Sequence, residues 1–309
     1  MVAIVDTAPP LARDNSAVQD GPGSRDPGSR DPASRDDVGA GAKSAQAFRL
    51  RVLSALVLAP LGLAAAWFGP PLLSVVVAIA AGLMAWEWGR LCRIGTPILT
   101  GIVVIVVASV IAATLGIPRI GLAVAVLGSI AAAVASRGSG EAVLVGCGML
   151  WIAVPSMALI WVALDPDAGV GRNTVLWILA VVWATDIGAY AAGRTFGGAR
   201  LAPRLSPNKT WSGLIGGVVC AAAAGVVVAL FVDSTIIVTI SLLSGILAVV
   251  AQIGDLAESM AKRHFGVKDS SGLIPGHGGL LDRFDGMLTV IPAVALLSLF
   301  GGGSVLTWR

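Results

Sequence analysis

From Val52 to about residue 305 the chain repeats one pattern, apolar runs of 17 to 23 residues parted by short polar breaks. A helix of about 20 residues is what crossing about 30 Å of hydrocarbon requires, and in lipid the backbone must satisfy its own polar groups. The pattern therefore predicts an all-α, polytopic membrane helix bundle of about nine transmembrane helices. Their spans are 52 to 68, 71 to 88, 97 to 116, 120 to 136, 142 to 164, 174 to 192, 213 to 232, 235 to 256 and 287 to 305. Only Gly69, Pro70 and Pro71 join the first two, which predicts a tight hairpin there. Composition agrees: 13% of residues are charged, against about 25% in an ordinary soluble domain. No GxxxxGK[ST] loop and no strand-linked GxGxxG is present, which disfavours a soluble nucleotide-binding fold. Cys92, Cys147 and Cys220 are far apart with no CxxC spacing, so they read as packing residues.

Residues 1 to 48 differ from the rest. They hold 7 of the 18 acids and an imperfect repeat, GSRDP GSRDP ASRDD, from Gly23 to Asp37. Proline, glycine and alternating Arg and Asp cannot bury enough apolar surface to offset ordering entropy. This predicts a disordered cytosolic tail, followed over 49 to 309 by a transmembrane catalytic domain. The first long apolar run begins too late for a cleavable signal peptide.

Loop charges orient the spans, because Lys and Arg accumulate on the cytoplasmic side. With a cytoplasmic N-terminus, the inside loops after the tail carry Arg49, Arg51, Arg90, Arg93, Arg137, Arg194, Arg200, Arg204, Lys209, Lys262, Arg263, Lys268 and Arg283. The outside retains Arg119, Arg172 and Arg309. Both long polar segments, near 186 to 213 and 255 to 286, then face the cytosol, where nucleotides are. The expected setting is the plasma membrane, multi-pass, with the active site on the cytosolic side.

The chemistry is expected in those two segments. Asp255, Glu258, Ser259 and Lys262 fall at i, i+3, i+4 and i+7, on one face of the end of span eight, with Arg263 at its edge. Carboxylates in an apolar helix are costly unless they pair, neutralise or hold a cation, and by default they mark function. The plainer alternative is an ion pair from Asp255 to Lys262 or Arg263 that only anchors the helix. Beyond a glycine-rich turn from Gly272 to Gly279 come Asp282 and Asp285, three residues apart and so on one side of a helical turn. Such oxygen ligands suit Mg²⁺, which takes one or two protein carboxylates and completes its shell with water and phosphates. Lys262, Arg263, Lys268 and Arg283 supply the charge for a polyphosphate, although the positive-inside bias alone explains part of that set.

These residues resemble the signature of phosphatidate cytidylyltransferases, or CDP-diacylglycerol synthases. The shared pattern comprises Ser259, Lys262-Arg263, Lys268-Asp269, Pro275, His277-Gly278-Gly279, Asp282-Arg283 and Asp285, with no insertion. Two further stretches are similar to that family's: Asp186-Ile187-Gly188-Ala189-Tyr190 with Gly193-Arg194, and Ser206-Pro207-Asn208-Lys209-Thr210-Trp211-Ser212-Gly213. The family commonly has Lys at the position of Asn208 and Glu at that of Ser212. The first five spans share only hydrophobicity with it, and the tail lies outside it.

The resemblance implies a Mg²⁺-dependent transferase making CDP-diacylglycerol and pyrophosphate from CTP and phosphatidic acid, an early step toward anionic phospholipids and phosphatidylinositol-type lipids. One or two Mg²⁺ ions are expected on Asp255, Asp282 and Asp285, with Asp269 a weaker candidate. Lys262, Arg263, Lys268 and Arg283 are expected to grip phosphates. Asp186, Tyr190 and Arg194, spaced one turn apart, are expected to face the same cavity, with Ser206 and Lys209 closing over the nucleotide. Ser259, His277, Gly278 and Gly279 complete the expected substrate-binding set, His277 having an equal claim to a structural role. Arg194, Arg200 and Arg204 have the alternative of binding anionic headgroups. Phosphatidic acid is expected from the inner leaflet, nucleic acid is not expected as a partner, and the glycine- and alanine-rich span 213 to 225 permits the close packing of a homodimer. Two rivals remain: a CTP-dependent kinase of a polyprenol or similar lipid alcohol, and a transporter. The transporter is disfavoured because the acids gather at one end of the spans and not at the midplane, with no inverted repeat.

Overall fold

A computed structural model describes residues 56–274 and 278–308. The tail with its GSRDP repeat and the start of the first span lie outside the described residues, as do Pro275, Gly276 and His277. Among the described residues, helices account for nearly all regular structure. They are α1 (Leu56–Phe68), α2 (Leu72–Leu91), α3 (Thr96–Thr114), α4 (Pro118–Ala135), α5 (Ala142–Ala163), α6 (Ala168–Phe196), α7 (Trp211–Phe231), α8 (Ile237–His264), α9 (Leu281–Phe284) and α10 (Met287–Phe300).

Seven of these, α2 to α8, are long and apolar enough to cross a membrane, while α1 and α10 are shorter apolar helices at the first and ninth expected spans. The chain is an all-α polytopic bundle, with the marks of an integral membrane protein. Large apolar side chains such as Val227, Leu230, Ile246, Ile253 and Phe300 face outward, exposed, on α7, α8 and α10. Lipid is the solvent that tolerates such a surface. A cis bond joins Pro70 to Pro71 in the short link between α1 and α2.

The helices pack as two groups joined by α10. In the first, α2, α3, α4 and α5 pack on one another; in the second, α6 packs on α7 and α7 on α8; α10 lies against α5, α6 and α8. Buried polar contacts tie helices where apolar burial alone gives no preference in lipid. Trp88 Nε1 donates to the Leu144 carbonyl at 3.0 Å, joining α2 to α5. Trp177 Nε1 donates to Ser244 Oγ at 2.9 Å, joining α6 to α8. Between α6 and α7 the backbones touch: a Cβ on Gly188 would fall 2.6 Å from the Gly216 carbonyl oxygen, and one on Gly216 would fall 2.8 Å from that of Gly188. Gly188 of the DxGAY stretch is thus a packing residue.

Two departures from the expected spans matter for the site. α6 and α8 run on to Phe196 and His264, so the polar stripes stay helical past the apolar segments. A two-stranded antiparallel hairpin, β1 (Arg200–Ala202) and β2 (Ser206–Thr210), then links α6 to α7, pairing Arg200 with Thr210 and Ala202 with Ser206. Thr210 ends the hairpin by capping α7, its Oγ1 accepting from Gly213 N–H at 3.1 Å. Ser212, where the resemblance departs from the family pattern, hydrogen-bonds the Gly197 carbonyl at the end of α6.

Candidate active site

α8 carries no charged residue up to Gly254 and then presents Asp255, Glu258 and Lys262 on one face. The anchoring pair weighed from sequence, Asp255 with Lys262 or Arg263, does not form. Lys262 Nζ instead bonds Glu258 Oε2 one turn below at 2.8 Å and Asp282 Oδ1 at 2.6 Å. Asp255 Oδ2 is met from outside its helix by Lys209 Nζ of β2, at 2.8 Å. The hairpin that sequence periodicity did not reveal therefore carries a cation onto the stripe. Arg263, exposed, bonds the Leu205 carbonyl in the hairpin turn at 3.4 Å and that of Val267 at 3.1 Å.

After α8 the chain folds back through a glycine-rich loop that two carboxylates hold. Asp282 Oδ2 accepts from Gly279 N–H at 2.8 Å, Ser270 N–H at 2.9 Å and Ser270 Oγ at 3.1 Å. With Lys262 on Oδ1, both its oxygens are occupied. Burial pushes the Asp282 carboxyl up, but the bonds from Lys262, Gly279 and Ser270 outweigh this and hold it below the ordinary carboxylate range. The second carboxylate is Glu87 of α2, fully buried, which accepts from Leu280 N–H at 2.9 Å and Leu281 N–H at 2.7 Å. Ser271 Oγ donates to its Oε1, and Ser270 Oγ reaches Oε2 at 3.4 Å. Gly279 is required here, since a Cβ would lie 1.9 Å from Ser270 Oγ and within 2.9 Å of both Glu87 oxygens.

Asp285 belongs to a different environment. Asp282 lies in the short helix α9 and Asp285 is its C-cap residue, still with helical dihedrals, but the two acids have different partners. Asp285 Oδ1 accepts from Gly286 N–H at 2.9 Å. Reciprocal close approach brings it to α8: a Cβ on Gly254 would fall 2.6 Å from the Asp285 carbonyl oxygen, and one on Gly286 would fall 3.1 Å from Asp255 Oδ1. Burial raises the Asp285 carboxyl well above the usual range, and the charges of Asp255, Glu258 and Asp186 raise it further. Asp186 of α6 interacts with Asp255, Lys209 and Arg283. Glu258 is buried, and its Oε1 has no hydrogen-bond partner among the described residues.

Asp186, Asp255, Glu258 and Asp285 thus crowd together with fewer fixed cations than carboxylates, at the end of the bundle that also presents Lys209, Lys262 and Arg283. Such a group stores repulsion that a bound cation relieves. Among the described residues no three His, Cys, Asp or Glu side chains converge as they stand on one ion position. Mg²⁺ does not demand that, because it is held through one or two carboxylates plus water and phosphate. Asp255 and Asp285 suit that role.

The remaining expected residues lie around this group. Tyr190 and Arg194 continue the exposed stripe of α6 beyond Asp186, and Lys268, Asp269 and Arg283 are exposed on or beside the loop. Ser259 on α8 and Ser206 on β2 are half-buried. Gly278, at φ +84°, would set a Cβ 2.9 Å from Asp282 Oδ2; His277 is outside the described residues. The sequence reading missed Glu87. Its signal was a lone acid inside the apolar run AWEWGRL, where an ionisable residue deserves a partner by default.

The sequence profile described as the cytidylyltransferase family matches residues 49–300. The chain is 54% identical over 135 residues to the phosphatidate cytidylyltransferase of Brucella suis biovar 1 (strain 1330), covering 44% of this chain and 49% of that protein. To the phosphatidate cytidylyltransferase of Staphylococcus haemolyticus (strain JCSC1435) it is 48% identical over 128 residues, 41% of this chain and 49% of that protein. The chain spans about half the length of the curated relatives it matches.

Proposed function

The chain belongs to the cytidylyltransferase family, and we propose that it is a membrane-embedded transferase that makes CDP-diacylglycerol and pyrophosphate from CTP and phosphatidic acid. The observation that carries this is the cation-poor group of Asp186, Asp255, Glu258 and Asp285 set among Lys209, Lys262 and Arg283. Acids that need a cation, next to bases that need an anion, suit a metal-bound polyphosphate.

The lipid phosphate is a monoester whose second pKa is about 6, so at neutral pH it is already an oxyanion and needs no general base. One of its oxygens attacks the α-phosphorus of CTP. The new P–O bond forms as the bond to the β-phosphate bridging oxygen breaks, and pyrophosphate leaves with that electron pair. No proton need move. The protein's task is to align two polyanions and stabilise the charge between them. Asp255 and Asp285 would hold Mg²⁺, which would neutralise charge on the α-phosphoryl and departing pyrophosphate groups. Asp282 would join them through Oδ1, in competition with Lys262; Asp269 would be a weaker contributor. A second ion would find an oxygen in Glu258 Oε1.

Lys209 would shift from Asp255 to a CTP phosphate as the site fills, bringing the hairpin and Ser206 over the nucleotide. Arg283, Lys268 and Arg263 would meet the outer phosphates or the lipid phosphate, and Arg194 and Tyr190 would line the approach. In this arrangement the polar end faces the cytosol, in keeping with the loop charges, and the acyl chains stay in the inner leaflet.

A CTP-dependent lipid kinase would use similar parts but move the γ-phosphoryl group. Purified protein given Mg²⁺, phosphatidic acid and CTP should place an α-phosphate label in the lipid and a γ-phosphate label in pyrophosphate. A γ label in the lipid, or no CDP-lipid at all, overturns the proposal.

A further inference from the structure

Glu87 lies on α2, in the helix group that carries none of the acids crowded at the site. Among the described residues its four hydrogen-bond donors, Leu280 N–H, Leu281 N–H, Ser270 Oγ and Ser271 Oγ, come from the loop that delivers Asp282 and Asp285. None of the four is cationic. A buried carboxylate with no cation partner among the described residues is expensive, and here its bonds go to one segment. Asp282 grips that loop from the opposite side, sharing Ser270 Oγ with Glu87, and Lys262 links Asp282 to Glu258 on α8. A chain of contacts therefore runs from α2 through the loop to the stripe on α8.

We propose that Glu87 is a positioning residue for the transfer reaction: it clamps Ser270, Ser271, Leu280 and Leu281, so that α9 starts where Asp282 can hold Lys262 and Asp285 can meet Asp255. It touches neither substrate. This rests on the reaction proposed above only for its activity readout. A glutamine in its place keeps the volume but presents an NH₂ group to donors that need an acceptor, so at least one backbone N–H of Leu280 or Leu281 loses its partner. Displacing reacting groups by about 1 Å lowers turnover by roughly a hundredfold.

The test is Glu87→Gln in the full chain, purified in detergent. Turnover with CTP and phosphatidic acid should fall roughly a hundredfold while KM for CTP changes by much less, because Lys209 and Arg263, which would meet phosphate from outside the clamped loop, are untouched. Backbone amide exchange should accelerate in peptides covering 278–285 and stay unchanged in peptides from α5 and α7. Turnover near wild type overturns the proposal; so does exchange that rises equally throughout the bundle, which would make Glu87 a general packing residue. Should Glu87→Gln fail to fold, Ser271→Ala removes one of the four bonds and should give a smaller fall in turnover with exchange faster in 270–281 alone; no change in either measure overturns it. If the wild-type protein makes no CDP-lipid, the proposed reaction fails by itself, and the exchange comparison still decides whether the clamp exists.

Discussion

Asp282 and Asp285 are the same chemical group three residues apart, yet the fold treats them in opposite ways. Asp282 has each oxygen filled by protein donors, with its carboxyl held low. Asp285 accepts one backbone N–H and otherwise meets Asp255, Glu258 and Asp186, with its carboxyl pushed up. The first is a saturated carboxylate that shapes a loop, as Glu87 is. The second has one backbone donor and sits among like charges, which makes it the proposed cation ligand. Spacing along the chain cannot distinguish the two; only the partners can.

The sharpest way to break this distinction is to neutralise one acid of each kind. Asp285→Asn should lower turnover by at least about a hundredfold, the scale seen when one electrostatic stabiliser is lost from a transition state, with thermal stability kept or raised because a strained charge is gone. Asp282→Asn should cost less activity but more stability, about 1–3 kcal/mol for buried donors left unpaired, read as a lower midpoint of thermal unfolding in detergent. Equal effects of the two variants on both measures would erase the difference.

Lys209→Ala comes next. It leaves Asp255 without its 2.8 Å partner and removes the cation proposed to grip a CTP phosphate, so KM for CTP should rise roughly tenfold, about 1.4 kcal/mol. Lys268→Ala, exposed and without a role in the clamp, should raise KM for one substrate by less than that; an unchanged profile returns Lys268 to the positive-inside bias.

The smallest effect is in pH. A carboxyl raised above its ordinary 3.8 on folding contributes stability below that value and loses it as pH rises through the folded pKa. Asp282, held low, does the reverse: its contribution is present above 3.8 and is lost as pH falls through the lowered value. Metal-free protein should therefore lose stability as pH rises above 3.8 through the Asp285 transition. Asp285→Asn or added Mg²⁺ should flatten that slope, and thermal unfolding followed across pH would detect it.

The helical bundle was legible because lipid leaves the chain no other way to satisfy its backbone, and the apolar runs mark where it does so. The stripe of Asp255, Glu258 and Lys262 was legible because helical periodicity holds to His264. What periodicity could not carry is pairing across the fold. Lys209 reaches Asp255 through a hairpin whose short strands have no apolar alternation to announce them. Glu87 meets Leu280 and Leu281 across nearly two hundred residues of sequence, a contact that follows from α2 packing under α9. The split between Asp282 and Asp285 lies in what each meets across the fold, Lys262 and loop N–H groups for the first and neighbouring carboxylates for the second. Glycines that looked like loop residues, Gly279 and Gly286, are there because carboxylates occupy the space a side chain would need.

The most direct test is equilibrium binding of Mn²⁺, as a spectroscopic stand-in for Mg²⁺, to wild type, Asp285→Asn and Asp282→Asn in the presence of CTP. Asp285→Asn should lose the bound ion, and Asp282→Asn should retain it with weaker affinity. Retention by Asp285→Asn with loss by Asp282→Asn would contradict the assignment of the cation to the unsaturated acids.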